Sequence, residues 1–439
     1  MAQFTDSPSA ADGRPAPDAA PEAARARVTP SQGIVLLLSL GLVYMMSHFY
    51  RTALAVIAPE VGADLALSPG ELGFLNGAYF IAFAVAQIPA GVLLDRFGPR
   101  RVIAAMMMVT VIGTLLVGLS GSYGPALLGR LMQGAGCSAV LMGSFVVFAR
   151  WFSQRHFATL GAAVLFIGGT GNLLSASPLA YGSQAFGWRE SFLFSGILTF
   201  VLVVQLFLIV RDAPPGAKVP RSQGERLGQV LSGLLSVVVN RNVPFLFAMN
   251  FVAYASIITV IGLWAGPWLA DIYGLDTDAR GNVLTLVHIG VLAGYACAAP
   301  LDRWLDTRKR IVFATTLVSV ASYAVLAFAG HLPLSVAVGL LVLLGMMGSA
   351  NVILLSHIRA LFPVDKVGRG MSVLNVAVMA GVAAMQTLTG WLIGLFPEVD
   401  GAIPEAAYRA VFIVCGGALI LGLCAYSVVP DARPSQVRD

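Results

Sequence analysis

Twelve apolar stretches, each 20 residues or longer, take up most of this 439-residue chain. They run near 33–58, 71–94, 101–120, 123–149, 157–184 and 190–211, then near 243–271, 281–301, 310–331, 333–361, 369–396 and 405–429. A helix rises 1.5 Å per residue, so about 20 residues cross a hydrocarbon layer ~30 Å thick. Lipid offers backbone groups no partner, which leaves the helix as the structure such stretches adopt there. The runs are continuous rather than alternating, which excludes a transmembrane β-barrel. The expected fold class is an all-α membrane protein with 12 transmembrane helices. Composition agrees: 11% of the residues are charged, against about 25% in soluble domains.

The basic residues give the chain a direction. Of 27 Lys and Arg, 22 fall in the tails and in every second loop. Only Arg189, Arg280 and Arg409 fall in the loops between, and Arg51 and Arg130 lie inside spans. Cytoplasmic loops collect Lys and Arg, so both termini are expected in the cytoplasm of a bacterial inner membrane. Because the cations lie between apolar runs, the net charge of +5 points to the lipid bilayer as partner and not to nucleic acid. Residues 1–32 and 430–439, rich in Ala, Pro and Asp, read as disordered tails. The first has no apolar centre and is not a signal peptide. Cys137, Cys297, Cys415 and Cys424 all sit in apolar runs and read as small core residues.

The longest polar stretch between spans, 212–242, separates two sets of six: 33–211 and 243–429. The sets resemble each other. "GVLLDRFGPRR" (91–101) matches "AAPLDRWLDTRKR" (298–310), with Asp95 over Asp302 at an offset of 207. "ARWFSQRHFATLGAAVL" (149–165) matches "IRALFPVDKVGRGMSVL" (358–374), with Arg150 over Arg359 at an offset of 209. Two matches at nearly one offset argue for a duplicated six-span unit.

With this topology, "GVLLDRFGPRR" resembles the signature of the major facilitator superfamily, on Gly91, Asp95, Arg96, Gly98, Arg100 and Arg101. The resemblance implies two pseudo-symmetric six-helix bundles that rock about a central site, exposing it to each side in turn. It also implies that these residues, with Asp302 and Arg303 in the second half, gate the cytoplasmic side by locking it in the outward-open state. Gly91 is expected to allow close helix approach, and Asp95 to cap and pair with neighbouring helix ends. "GRLMQGAG" (129–136) resembles a second signature of the superfamily, whose arginine is linked to proton coupling; Arg130 fits it, with snorkelling to the interface as the alternative.

Arg51 is the charge that needs explaining. A cation within a span costs about 2.5–3.5 kcal/mol on insertion scales. Arg51 precedes Pro59 by eight residues and follows Tyr50, a pattern similar to span one of superfamily members that carry organic phosphates and other organic anions. Tyr44, His48 and Arg51 fall on one helix face, at i, i+4 and i+7, and a guanidinium suits a carboxylate or phosphate. Those carriers place a second arginine in span seven, and this chain has none there; one cation suits a monoanion such as a carboxylate. Gln87, Asn250, Tyr254 and Asn351 are the further expected substrate contacts.

No Asp or Glu lies deep in a span, so the histidines within spans, His48, His288 and His357, join Arg130 as candidates for coupling to a proton, with a hydrogen-bonded packing role as the alternative for each. Uniport, exchange and cotransport of a protonated substrate all fit. No P-loop, CxxC pair or HExxH motif occurs, so neither cofactor nor metal is expected. The resulting expectation is a monomeric secondary transporter, not an enzyme, moving a small organic anion. An efflux pump for drugs or metabolites is the alternative, followed by a non-transporting sensor and a multipass membrane enzyme.

Overall fold

The structure is a computed structural model of the 439-residue chain, and it describes residues 29–214, 243–361, 367–399 and 401–431. Most of the expected tail and linker residues, including 1–28, 215–242 and 432–439, lie outside the described residues. Among the described residues, twelve helices are long and apolar enough to span a membrane. Spans one to six are Ser31–Thr52, Pro69–Phe97, Pro99–Gly118, Tyr123–Trp151, Thr159–Phe186 and Trp188–Ile209. Spans seven to twelve are Val243–Tyr273, Thr277–Ala298, Lys309–Phe328, Leu334–Leu361, Leu374–Ile393 and Glu405–Ser427. Among the described residues there is no strand, only an isolated bridge between Val399 and Ala402.

Span one departs from a single rod. Its helix stops at Thr52, turns at Ala53 and resumes as Leu54–Asp64, with Pro59 inside the second piece. Span seven contains a π-helical turn, Val260–Trp264. Such turns interrupt the regular backbone hydrogen-bond ladder and are frequent at functional sites.

Small residues set the helix contacts, and they do so twice. A Cβ added to Gly171 of span five would lie 2.0 Å from the Met45 carbonyl oxygen of span one. Its counterpart, Gly381 of span eleven, faces the Phe251 carbonyl oxygen of span seven at 1.9 Å. Likewise Gly134 meets the Tyr79 carbonyl oxygen at 1.9 Å, and Gly345 meets that of Val287 at 2.8 Å. Between the halves, Gly73 packs on Gln386 and Gly390, while Gly281 packs on Ala176 and Ala180. Every one of these pairs is displaced by 206 to 211 residues, so the sequence repeat is also a repeat of packing. With little hydrophobic force between helices in lipid, close backbone approach at small residues holds such bundles together.

A second repeated device closes each half. Asp212, just after span six, accepts the Arg100 backbone N–H at the start of span three (2.7 Å). Asp431, after span twelve, accepts the Lys309 backbone N–H at the start of span nine (3.0 Å) and the Thr307 hydroxyl (2.7 Å). Each carboxylate satisfies an N-terminal N–H and complements the helix dipole. Gly98, at φ +82°, belongs to the first cap; a Cβ there would strike the Asp212 carboxylate.

Two expectations are corrected. Cys137 and Cys415 are buried, but Cys297 and Cys424 are exposed; an apolar run contains exposed as well as core positions. Gly91 makes no tight approach, because an added Cβ would find only the Met142 sulfur at an ordinary 3.6 Å.

Candidate functional site

The two halves meet firmly at one end, the one opposite Thr29 and Asp431. There Arg280 of span eight forms an ion pair with Glu60 of the first half, and Thr277 also donates to Glu60. The Ser177 hydroxyl lies 2.7 Å from that of Thr285 and donates to Asn282 at 2.8 Å, and the Tyr181 hydroxyl donates to Asn282 at 3.0 Å. The three cations of this end all have carboxylate partners: Arg189 pairs with Asp64, Arg280 with Glu60, and Arg409 with Glu405. Toward the end that carries Thr29 and Asp431, the last hydrogen bond across the halves among the described residues is Asn375 to Gln87, at 2.9 Å.

Between these limits lies Arg51, at the interruption of span one. It is 6% exposed. Its guanidinium carbon sits 5.3 Å from the centroid of the Phe83 ring, a cation–π contact. Among the described residues its Nε has no hydrogen-bond partner and no carboxylate pairs with it. Tyr44, Tyr79 and Tyr254 stand within electrostatic reach, with Tyr295 of span eight beside them. The structure thus draws Tyr44, His48, Arg51 and Tyr254 together. The Tyr44 ring meets the His48 ring edge-on at 4.8 Å. Gly168 makes room for it, because a Cβ there would fall 2.2 Å from the Tyr44 ring. Tyr50, whose hydroxyl is 2.7 Å from that of Thr199, points away into span six.

Arg130 does not snorkel; it is fully buried. Its Nη1 donates to the Tyr50 carbonyl oxygen (2.8 Å) and to Gln133 Oε1 (3.0 Å), and its Nη2 to Asn76 Oδ1 (2.7 Å). Asn76 Nδ2 then donates to the Gly262 carbonyl oxygen (3.2 Å) in the π-turn of span seven. The charge is spread over neutral acceptors, and the chain of bonds braces the backbone beside Arg51 against the second half.

Other expected residues lie elsewhere. Asn250 is fully buried and donates to the Leu374 carbonyl oxygen at 2.7 Å, tying span seven to span eleven. Asn351 lines a hollow of about 20 Å³ inside the second half, with Thr316 and Ser319. Gln87 bridges to Asn375. Asp95, Arg96 and Arg101 are exposed, and Asp95 has no ion pair or hydrogen bond among the described residues; Asp212 makes the cap expected of it. Arg100 donates through Nε to the Phe207 carbonyl oxygen at 2.8 Å and lies over that ring. The side chains of Asp302 and Arg303 lie outside the described residues. Sequence reading missed Tyr295, Asn76 and the two capping aspartates. "VRDAP" (210–214) and "VPDAR" (429–433) carried the last signal, an aspartate two residues past a valine after each sixth span.

Two roomier hollows, about 870 Å³ between spans two and eleven and about 640 Å³ among spans one, five and six, have almost wholly apolar walls. Exposed Val85, Trp391, Phe186 and Phe194 place them on the outer, lipid-facing surface, away from the buried polar groups.

Comparison with known proteins agrees with this architecture. The chain is 23% identical over 309 residues to the hexuronate transporter of Bacillus subtilis (strain 168), covering 67% of this chain and 72% of that protein. It is 23% identical over 417 residues to the probable L-galactonate transporter of Escherichia coli (strain K12), covering 87% and 86%. A crystal structure of a bacterial homolog of the human lysosomal transporter Spinster, inward-facing and unoccupied, superposes with a TM-score of 0.72 at 16% identity, over 91% of this chain and 97% of that one. The model of the Major Facilitator Superfamily matches residues 40–356 and 246–439. The chain belongs to the major facilitator superfamily and is a membrane transporter of that family, not an enzyme.

Proposed function

We propose that this secondary transporter carries a small organic anion with a single carboxylate, by alternating access, across a bacterial inner membrane. The observation that carries this reading is Arg51: a buried guanidinium with an unpartnered Nε and no carboxylate beside it among the described residues. An uncompensated buried charge is unfavourable, and an anion that forms charge-assisted bonds to the guanidinium removes the penalty. A cationic solute gains nothing there. Two similar proteins are named for hexuronate and L-galactonate, which are carboxylates.

The end bearing Thr29 and Asp431 is taken as cytoplasmic, on the strength of the Lys and Arg in its loops. The firm closure at Glu60–Arg280 then lies outside, and the described conformation corresponds to an inward-facing carrier. In the cycle, the halves 33–211 and 243–429 rock about Arg51; the outer contacts part, while the loops around Asp95 and Asp302 come together. The protein works as a monomer. Arg130, bonded to neutral acceptors only, acts as a brace for span one in this reading rather than as a proton site.

The test is a melting-temperature titration of purified wild type and Arg51→Ala with carboxylates, organic phosphates, sugars and cationic drugs. A specific ligand raises the melting temperature by mass action. A carboxylate should stabilise wild type by several degrees and Arg51→Ala not at all. Stabilisation only by cations or sugars, equal in both proteins, would falsify the anion reading.

A further inference from the structure

Span eight presents one face to the first half: Thr285 bonds to Ser177, and Leu292 touches the position of Gly169. His288 lies between them at helical spacing, three residues after Thr285 and four before Leu292. It is 3% exposed. Its Nδ1 is 2.8 Å from the Leu284 carbonyl oxygen. A carbonyl only accepts, so Nδ1 carries the hydrogen, and in the neutral ring Nε2 is left as a lone-pair acceptor. Among the described residues that nitrogen has no partner.

Across the interface, His48 stands within electrostatic reach of both His288 and Arg51. Its Nδ1 also lacks a partner among the described residues. His48 precedes Arg51 by three residues, a rise of about 4.5 Å along the helix. Around one interface the molecule therefore holds, among the described residues, an unpartnered donor, Arg51 Nε, and an unpartnered buried acceptor, His288 Nε2, each within electrostatic reach of His48. Buried polar groups in native structures are nearly always satisfied, so a solute that supplies both partners fits this pair.

Building on the anion reading of Arg51, we propose that His288 is a specificity residue. Its Nε2 accepts a hydrogen bond from a hydroxyl of the transported acid, a few carbons from the carboxylate that Arg51 holds. The substrate class is thereby narrowed to hydroxycarboxylates. An ammonium at the same point would gain little: the site offers it no carboxylate among the described residues and places it near a guanidinium. Because Arg51 belongs to the first half and His288 to the second, a hydroxy acid joins the two halves, whereas a simple fatty acid engages only the first.

The experiment measures dissociation constants by calorimetry on the full chain in lipid nanodiscs, with butanoate, 4-hydroxybutanoate and 4-aminobutanoate, and with hexanoate beside D-gluconate. Wild type should bind the hydroxylated member of each pair roughly tenfold or more tightly, since leaving a buried acceptor unpaired is costly. 4-Aminobutanoate should bind no better than butanoate. His288→Phe should bring each pair within about twofold, His288→Gln, which keeps an acceptor, should retain most of the preference, and Arg51→Ala should weaken all members alike. If wild type binds both members equally through Arg51, or if the preference survives in His288→Phe, a water or another group serves His288; the inference then fails while the anion reading stands. If no member binds, or Arg51→Ala binds as tightly as wild type, both fall.

Discussion

Arg51 and Arg130 of the first half stand where the repeat places Ile257 and Leu341 in the second. By the same displacement, Tyr44 and His48 correspond to Asn250 and Tyr254. The backbone contacts around these positions are duplicated: Gly171 on Met45 and Gly381 on Phe251, Gly134 on Tyr79 and Gly345 on Val287. The lesson is a division of labour. Glycine packing and aspartate caps are what both halves need in order to be six-helix bundles, and they recur. The two intramembrane cations are not needed for that, because Leu341, fully buried, fills the place of Arg130. In the function proposed above, Arg51 meets the solute and Arg130 braces the helix that presents it.

Exchanging residues between the halves tests that division. The largest effect is expected for Arg130→Leu, which installs the second half's residue in the first. It strips hydrogen bonds from the Tyr50 carbonyl, Asn76 and Gln133 at once, and should cost roughly 3 kcal/mol of stability, read from chemical unfolding in detergent. Leu341→Arg should be as damaging for the opposite reason, since no acceptor set awaits the charge. If Arg130→Leu is as stable as wild type, Arg130 is not a brace.

A smaller effect separates the glycines. Gly134→Ala drives a methyl onto the Tyr79 carbonyl and should destabilise by about 1–3 kcal/mol. Gly345→Ala, whose neighbour is 0.9 Å farther, should lose less than half as much. Equal losses would mean that the halves are packed alike despite the difference in distance.

The smallest effects should be the most symmetric. Asp212→Ala and Asp431→Ala each remove a cap, with an expected loss of about 1 kcal/mol apiece. At Asp431 burial pushes the carboxyl upward, but the Lys309 N–H and Thr307 hydroxyl outweigh it and hold it below its ordinary value. A depressed folded value means that the contribution is present above the unfolded value and is lost as pH falls through the folded one. The Asp431→Ala deficit should therefore hold at neutral pH and vanish only in strong acid, in melts run from pH 7 downward. A deficit that persists there would show the cap to be steric rather than ionic.

Much of the fold was legible in the sequence because it rests on local, one-dimensional signals. The length of each apolar run, the side on which Lys and Arg collect, and the offsets from Asp95 to Asp302 and from Arg150 to Arg359 need no contact to be known. The site was legible only in part. The stripe of Tyr44, His48 and Arg51 follows from helical spacing, and Tyr254 was found among the polar members of span seven. Asn250 and Asn351 have the same composition as a substrate contact, but their orientation depends on which helix lies beside them, and each turns into its own half. Gly91 and Asp95 carry the signature of a close contact that this conformation does not make.

By itself the sequence determined the twelve spans, their pairing into two related sets and the presence of one unexplained cation in span one, since hydrophobicity, charge count and repetition are properties of residues in order. Only the tertiary structure decided that Arg130 lies among three neutral acceptors while no carboxylate among the described residues meets Arg51, that span one breaks beside Arg51, and that His288 sits on the face of span eight turned to the first half with an acceptor left open among the described residues. Whether a buried polar atom has a partner depends on atoms brought together from distant parts of the chain, and no local pattern records that.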